Sequence, residues 1–467
     1  MKPVLTALAL LALQGFAAAA EEGGTPLGHQ LGLVWVVPFA LLLLSIAVLP
    51  LLVPRWWESN LNKGIISAIL GLPVSFYIFR LDSSRLIETG IEYAAFIVLL
   101  AALFIISGGI YLRGSLPGTP LTNTVVLAIG AIFSNFIGTT GASMLLIRPI
   151  LRANERRRHQ VHIVVFFIFI VSNIGGLLTP LGDPPLFLGF LRGVPFEWTI
   201  RLLPHWLLMI TALLIIFYVW DRRWFEAERA THQGAVREEL GVQERLSVEG
   251  KVNFLLLLGV LMVAFVVGRF GVQIGLQSEY ARRGGQVVGM GILAGLSMLM
   301  TRRETRAANG FAFYPIVEVA VIFAGIFATM IPALAILEAR GGDLGLKHPW
   351  QFFWVTGGLS SFLDNAPTYL TFASMASGLI GTEAVRLDQL LRATTGGMHG
   401  ETLLTAISVG AVSMGANTYI GNGPNFMVKT IAEEAGIKMP SFFGYMKYSI
   451  GILLPLFLLV TLVFFRP

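Results

Sequence analysis

The sequence predicts an all-α polytopic membrane protein of about ten to eleven transmembrane helices, built from two inverted repeats that each contain a re-entrant hairpin and a broken helix. Three observations predict it. Hydrophobic residues make up 55% of the 467-residue chain and charged residues only 13%, with a mean hydropathy of +0.74. About ten apolar stretches approach the ~20 residues a helix needs to span a bilayer. Finally, two of these stretches are interrupted by polar, Gly/Pro-rich sequence, LTPLGDPP at Leu178–Pro185 and TYIGNGPN at Thr418–Asn425. Backbone that leaves the helix at membrane depth must be buried in protein or line a polar cavity, because lipid offers its N–H and C=O groups no partner.

Residues 1–20 read as a secretory leader: Lys2, the apolar run Val4–Leu13 and small residues ending at Ala20. An uncleaved extra helix is the alternative, and either way the chain resumes outside. Helices fit Leu31–Val53, Gly64–Phe79 and Ile91–Leu112. The stretch 121–150 is too polar and glycine-rich at Ser134–Gly141 for an ordinary span and reads as a hairpin that enters and leaves on the cytoplasmic side. That places Arg152, Arg156, Arg157 and Arg158 inside, as the positive-inside rule requires. The broken segment 162–191 runs outward and Ile200–Trp220 returns, which completes a first membrane half over 31–220. Residues 221–251 read as a charged cytoplasmic loop between halves. The second half, 252–467, holds Val252–Gly268, Gln286–Met300, Tyr314–Leu337, a hairpin at 350–380, a broken segment at 401–431 and a last helix Phe442–Phe465. This topology places the protein in a bacterial inner membrane with its mature N-terminus in the periplasm.

An odd number of crossings between the hairpins makes the repeat inverted. Polar positions keep their order across it: Glu92 with Glu318 (offset 226), Asn135 with Asn365 (offset 230), Gly182 with Gly421 and Asp183 with Asn422 (offset 239). The drift in offset reads as loop-length difference. Paired breaks in corresponding places of two halves mark the substrate site of a secondary transporter. Half-helix N-termini suit anions and unwound carbonyls suit cations. The first half offers Ser134, Asn135, Thr139, Thr179 and Asp183. The second offers Asp364, Asn365, Thr368, Asn417, Thr418 and Asn422. Such oxygen-rich sets are what a hard cation such as sodium needs. An aspartate at membrane depth faces a cavity and takes a functional partner; a proton and a cation compete for it. That competition at Asp183 or Asp364 is the least machinery that cation/proton exchange requires.

SNxxGTT with LTPLGDPP, answered by LDNAPT with NTYIGNGPN, resembles the ion transporter superfamily from about Leu31 onward. That group holds sodium-coupled dicarboxylate and citrate carriers, arsenite carriers and a sodium/proton antiporter branch. The resemblance implies a scaffold and a mobile transport region, a homodimer and an elevator motion. It also implies one sodium at Ser134, Asn135 and Gly182 and a second at Asn365, Thr418 and Gly421. The Gly182-Asp183 and Asp364-Asn365 elements depart from the carboxylate-carrier pattern. Both add negative charge, which favours the antiporter branch; a sodium- or proton-coupled citrate or dicarboxylate symporter stays open, with Arg148 as a candidate carboxylate partner.

Other features take plainer readings. His159 and His162 fit a loop end beside Arg156–Arg158 better than a metal site, and His205 an interfacial anchor. Glu92 and Glu318 read as rim residues that cap helix N-termini or relay protons, and His399 and Glu401 as solvent-facing caps. With no GxxxxGK[ST] loop there is no sign of a primary pump, and with no HExxH or GxSxG no sign of an enzyme. Cysteine is absent, which excludes disulfides and thiolate chemistry. The net charge of +6 concerns loops, and nothing points to nucleic acid. The expected partners are sodium, protons, the bilayer and, on the second reading, a small carboxylate. No organic cofactor and no transition metal is expected.

Overall fold

The computed structural model describes residues 27–114, 116–231, 247–340, 345–384 and 386–466; the candidate leader lies outside them. The longer helices are α1 (Val37–Leu52), α2 (Asn60–Leu81), α3 (Ser83–Ser107), α4 (Pro120–Ala153), α5 (Val161–Ile170), α6 (Pro184–Leu191), α7 (Leu203–Thr231) and α8 (Val252–Phe270). The second part of the chain adds α9 (Glu279–Met300), α10 (Tyr314–Arg340), α11 (Pro349–Ser360), α12 (Asn365–Ile380), α13 (Gly400–Met414), α14 (Gly423–Glu434) and α15 (Phe442–Phe464). Among the described residues, nine helical stretches are long and apolar enough to cross a membrane. The shortfall against ten to eleven has a local cause. Helices α11 to α14 are each 16 residues or shorter, and α9 carries Arg282, Arg283 and Gln286 in its opening turns.

Hydrophobicity is turned outward, as lipid contact demands. Helix α2 exposes Ile65, Ile69, Leu72 and Phe76 while burying Ser67 and Gly71 against α10. A Cβ at Gly325 of α10 would lie 2.7 Å from the Ser67 Cβ, so small residues let the two backbones approach where apolar burial gives no drive. Helices α1, α2, α3, α8, α9 and α10 form one bundle; α4 to α7 and α11 to α15 form a second. The bundles meet where α3 packs on α4 and α10 packs on α12.

Helix α4 folds back on itself. A straight helix of its 34 residues would run about 51 Å, yet Asn123 near its start and Asn154 at its end exchange amide hydrogen bonds of 2.9 and 2.8 Å. The turn is Gly138, at φ 74°, a conformation open to glycine at no steric cost. The second hairpin, α11 and α12, turns instead through Ser361–Asp364. There the Asp364 carboxylate caps Ala366 N–H at 3.1 Å and Thr368 Oγ donates to Asp364 O at 2.8 Å.

The two broken segments share one backbone. Thr179 (φ −139°, ψ 155°) matches Thr418 (φ −138°, ψ 168°), and Asp183 (φ −145°, ψ 145°) matches Asn422 (φ −153°, ψ 141°). They run antiparallel. Val161 at the start of α5 and Ile431–Ala435 at the end of α14 line one surface cleft. At the other end Arg192, just after α6, accepts Leu387 N–H at 2.8 Å, and Trp198 donates to Glu401 at the start of α13.

The hydrogen bonds also correct the repeat register. Ser134 and Ser360 each donate to a carbonyl at the end of the helix that precedes the break, Val171 O at 2.7 Å and Ala411 O at 2.6 Å. The hydroxyls of Thr179 and Thr418 donate to the carbonyls of Asn135 and Ser361, and Phe136 and Phe362 are both exposed. The offset is therefore 226 through the whole hairpin, so Asn135 pairs with Ser361 and Thr139 with Asn365. The pairing of Asn135 with Asn365 is a slip of four residues, about one helical turn, which returns side chains to the same face and so looks equivalent in sequence. No gradual drift exists. One step to 239 falls at 381–399, where the second half inserts a helical turn, Leu387–Arg392, and a ribbon of β3 (Thr394–Thr395) and β4 (Met398–His399).

Two further expectations change. Helix α7 runs on to Thr231, so the connection between halves does not begin at 221; Asp221 is fully buried and binds Arg157 at 2.6 Å, His162 at 2.8 Å and Asn123 at 2.9 Å. That network keeps α7 helical and closes the base of the first hairpin. Residues Tyr111–Arg113 leave the helix expected over Ile91–Leu112 and form β1, paired with β2 (Ser247–Glu249). His205 is buried against Phe464 and Phe465 at the end of the last helix.

Candidate functional site

Asp183 sits at the centre of the second bundle, 1% exposed, where both hairpin tips and both breaks converge. Its Oδ1 accepts Thr139 Oγ at 2.9 Å from the first tip and Asn422 Nδ2 at 3.2 Å from the second break. Its Oδ2 accepts Asn365 Nδ2 at 2.5 Å from the second tip. Three neutral donors thus hold one carboxylate, and no Lys, Arg or His forms an ion pair with it among the described residues. On the other face of the Asn365 amide, Oδ1 is buried and accepts no hydrogen bond among the described residues. A buried carbonyl oxygen left bare is costly, and this one could ligate a cation.

Local sequence explains the convergence. Asp183 precedes Pro184, which starts α6 with its missing N–H at the position where none is needed. Asn422 holds the same position before Gly423 and Pro424. Thr139 follows the Gly138 turn and anchors the tip to the break by donating its N–H to Gly182 O at 2.9 Å. Glycine at 421 leaves room for carbonyls: an added Cβ would lie 2.7 Å from Ser360 O and 3.0 Å from Ser361 O. Those oxygens and Gly415 O pack against the Gly421 Cα, so the position takes no side chain.

The other candidates fall into two separate mortices. In the first half Ser134 ties to Val171, Thr179 to Asn135, and Asn135 Oδ1 accepts Leu178 N–H at 2.8 Å. In the second, Thr418 ties to Ser361, Asn417 donates to Ser361 Oγ at 2.9 Å, and Thr418 Oγ accepts Gly421 N–H at 3.2 Å. Asp364 and Thr368 stay at the second tip, where the Asp364 carboxylate caps the helix and Thr368 Oγ bonds back to Asp364 O. A small cavity of about 80 Å³ opens beside Asp183, lined by Gly138, Thr139 and Gly182 and by Leu103 and Val319 of the facing bundle.

Sequence reading missed two residues that join the halves. Asn173 donates to Asn425 Oδ1 at 2.7 Å, and Asn425 donates to Gly415 O and Thr418 O, both at 2.9 Å. Asn173 Oδ1 in turn accepts from Asn422 at 3.2 Å. Each asparagine lies within a few residues of a break, which is the signal that marks them.

The remaining polar residues lie elsewhere. Arg148 donates to Asn309 O at 2.9 Å and lines the cleft at the α5 end, away from Asp183. Glu92 is buried between Arg192 and Arg283, and Glu318 binds Lys63 at 2.6 Å, so neither caps a helix N-terminus. Glu401 pairs with Arg201, His399 with Thr394, and His159 with Glu228.

The profile of the family described as "Putative citrate transport" matches residues 28–465, nearly the whole chain. The chain belongs to that family. It is accordingly a multi-pass membrane transport protein, the class to which its apolar helices and paired breaks also lead. A search of curated proteins finds no match. The description of this citrate-transport family names the substrate of one of the two carriers that the sequence left open.

Proposed function

We propose that the protein is a sodium/proton antiporter that works by alternating access, with Asp183 as the group that exchanges a proton for a sodium ion. The observation that carries this reading is the buried Asp183 carboxylate, which has three neutral donors and no paired side-chain cation among the described residues. A desolvated carboxylate needs a positive partner, and here a proton or a mobile cation supplies it. The bare Asn365 Oδ1 offers an oxygen of the kind a sodium ion would need. The 80 Å³ cavity beside Asp183 has room for an ion and a water or two, each water filling about 30 Å³ of liquid. The second bundle, moving as a body against α3 and α10, would carry the site between faces. Arg152, Arg157, Arg158, Arg302 and Arg303 lie at the end read as cytoplasmic, in line with positive-inside topology in a bacterial inner membrane. A homodimer remains the expected assembly.

A second reading, a sodium- or proton-coupled citrate or dicarboxylate symporter, is favoured by the family description. Proteoliposomes with an internal pH dye separate the two. The antiport reading expects proton movement on addition of external sodium or lithium, with no organic anion present. Absence of that response, together with sodium-dependent uptake of labelled citrate or succinate, would install the symporter and make Asp183 a sodium ligand.

A further inference from the structure

At the face opposite the Arg148 cleft, a basin of about 590 Å³ opens on the seam between the two bundles. Six of its lining residues are arginines, Arg192, Arg269, Arg282, Arg283, Arg386 and Arg392; only Glu197 and Asp388 oppose them on the described lining. Arg269 lies 4.0 Å from Glu197 and Arg386 3.1 Å from Asp388. Deeper in, Arg192 and Arg283 are nearly buried and share the one Glu92 carboxylate at 3.4 Å each. Arginines thus outnumber acidic side chains six to two on the described lining, and Arg282 and Arg392 at the rim form no ion pair among the described residues.

This charge stands in the wrong place for a topology signal. On the topology read from the sequence the basin is on the outer face, where positive residues are disfavoured, so the arginines call for a local cause. They are also all arginine and never lysine, the side chain whose planar fork matches carboxylate and phosphate oxygens two at a time. Both bundles build the basin: α8 and α9 supply Arg269, Arg282 and Arg283, while the end of α6 and the 386–392 turn supply the rest. Arg192 stands nine residues beyond Asp183, about 13 Å along a helix. A ligand here would touch both bodies close to the candidate ion site without occupying it.

We propose that the basin is a binding site for a multivalent oxyanion, a di- or tricarboxylate or a phosphate group, which bridges the two bundles at the outer seam. The central 80 Å³ cavity has no room for such an anion, whereas the basin does. The site does not depend on which coupling reaction Asp183 performs. The same oxygens could come from a free anion or from the headgroup of an anionic phospholipid.

Calorimetric titration of the purified full-length protein with citrate and with inorganic phosphate, at fixed ionic strength set by chloride, tests the proposal. Native mass spectrometry of the same preparation reports any retained phospholipid. The proposal expects saturable binding of citrate or phosphate, or a retained phospholipid that citrate displaces. It expects that binding to weaken about tenfold or more in Arg282→Gln/Arg392→Gln, since each lost charge-assisted pair is worth about that factor. These rim residues leave the buried Glu92 cluster intact. Binding should be unchanged in Asp183→Asn, which separates this proposal from the antiport reading. A titration no stronger than chloride with no retained phospholipid would overturn it, as would binding indifferent to the double arginine change or lost in Asp183→Asn.

Discussion

The two halves fold the same device and charge it differently. In the first, the tip turns on Gly138 and the carboxylate is at the break, Asp183; in the second, the carboxylate is at the tip, Asp364, and the break carries Asn422. Backbone angles at the breaks agree within about 13°. Matching breaks thus give one half an aspartate aimed into the site, while the other half has an aspartate that caps its own helix. The symmetry builds the cavity, and the two mismatches, Asp183 against Asn422 and Gly138 against Asp364, decide where charge sits in it.

That contrast can be broken in order of expected effect. Asp183→Asn should cut coupled flux by about a hundredfold or more, the scale of losing a positioned proton carrier, with protein yield and melting temperature kept because Oδ1 still accepts from Thr139 and Asn422 while a flipped Asn365 amide accepts from the new Nδ2. Asn365→Ala should lower apparent sodium affinity about tenfold by removing the bare Oδ1 and one donor to Asp183, read as the sodium concentration for half-maximal flux. Gly421→Ala places a methyl group among three carbonyls and should lower stability by about 1–3 kcal/mol, seen as a reduced melting temperature in detergent. Asn123→Ala removes half of the amide pair that closes the first hairpin and also a donor to Asp221, for about 1–3 kcal/mol by the same measurement. Asp364→Asn should do least, since asparagine caps a helix N-terminus about as well as aspartate.

Much of this architecture was legible in the chain. LTPLGDPP and TYIGNGPN interrupt apolar runs in a way no spanning helix tolerates, and the breaks fell where those motifs lie. Register within the hairpins was not legible, because a slip of four residues keeps the helical face and only hydrogen bonds from Thr179 and Thr418 distinguish the two alignments. Asp221 was read as loop because charge in a local window says nothing of the partners that bury it, here Arg157, His162 and Asn123. Thirteen positions were named as candidates, six of them as two sodium sites, yet the fold gathers only Thr139, Asn365 and Asn422 from that set around the Asp183 carboxylate. Which of several hydroxyls bonds its own backbone and which turns inward is fixed by packing between elements far apart in sequence. The arginine basin was hidden for the same reason, since its six members come from four separate stretches of chain.

The most direct test of the central claim compares Asp183→Asn with Asp364→Asn in proteoliposomes loaded with a pH dye and pulsed with sodium. The account predicts that sodium-driven proton movement disappears in the first and persists near the wild-type rate in the second. Undiminished flux in Asp183→Asn, or its loss only in Asp364→Asn, would contradict it.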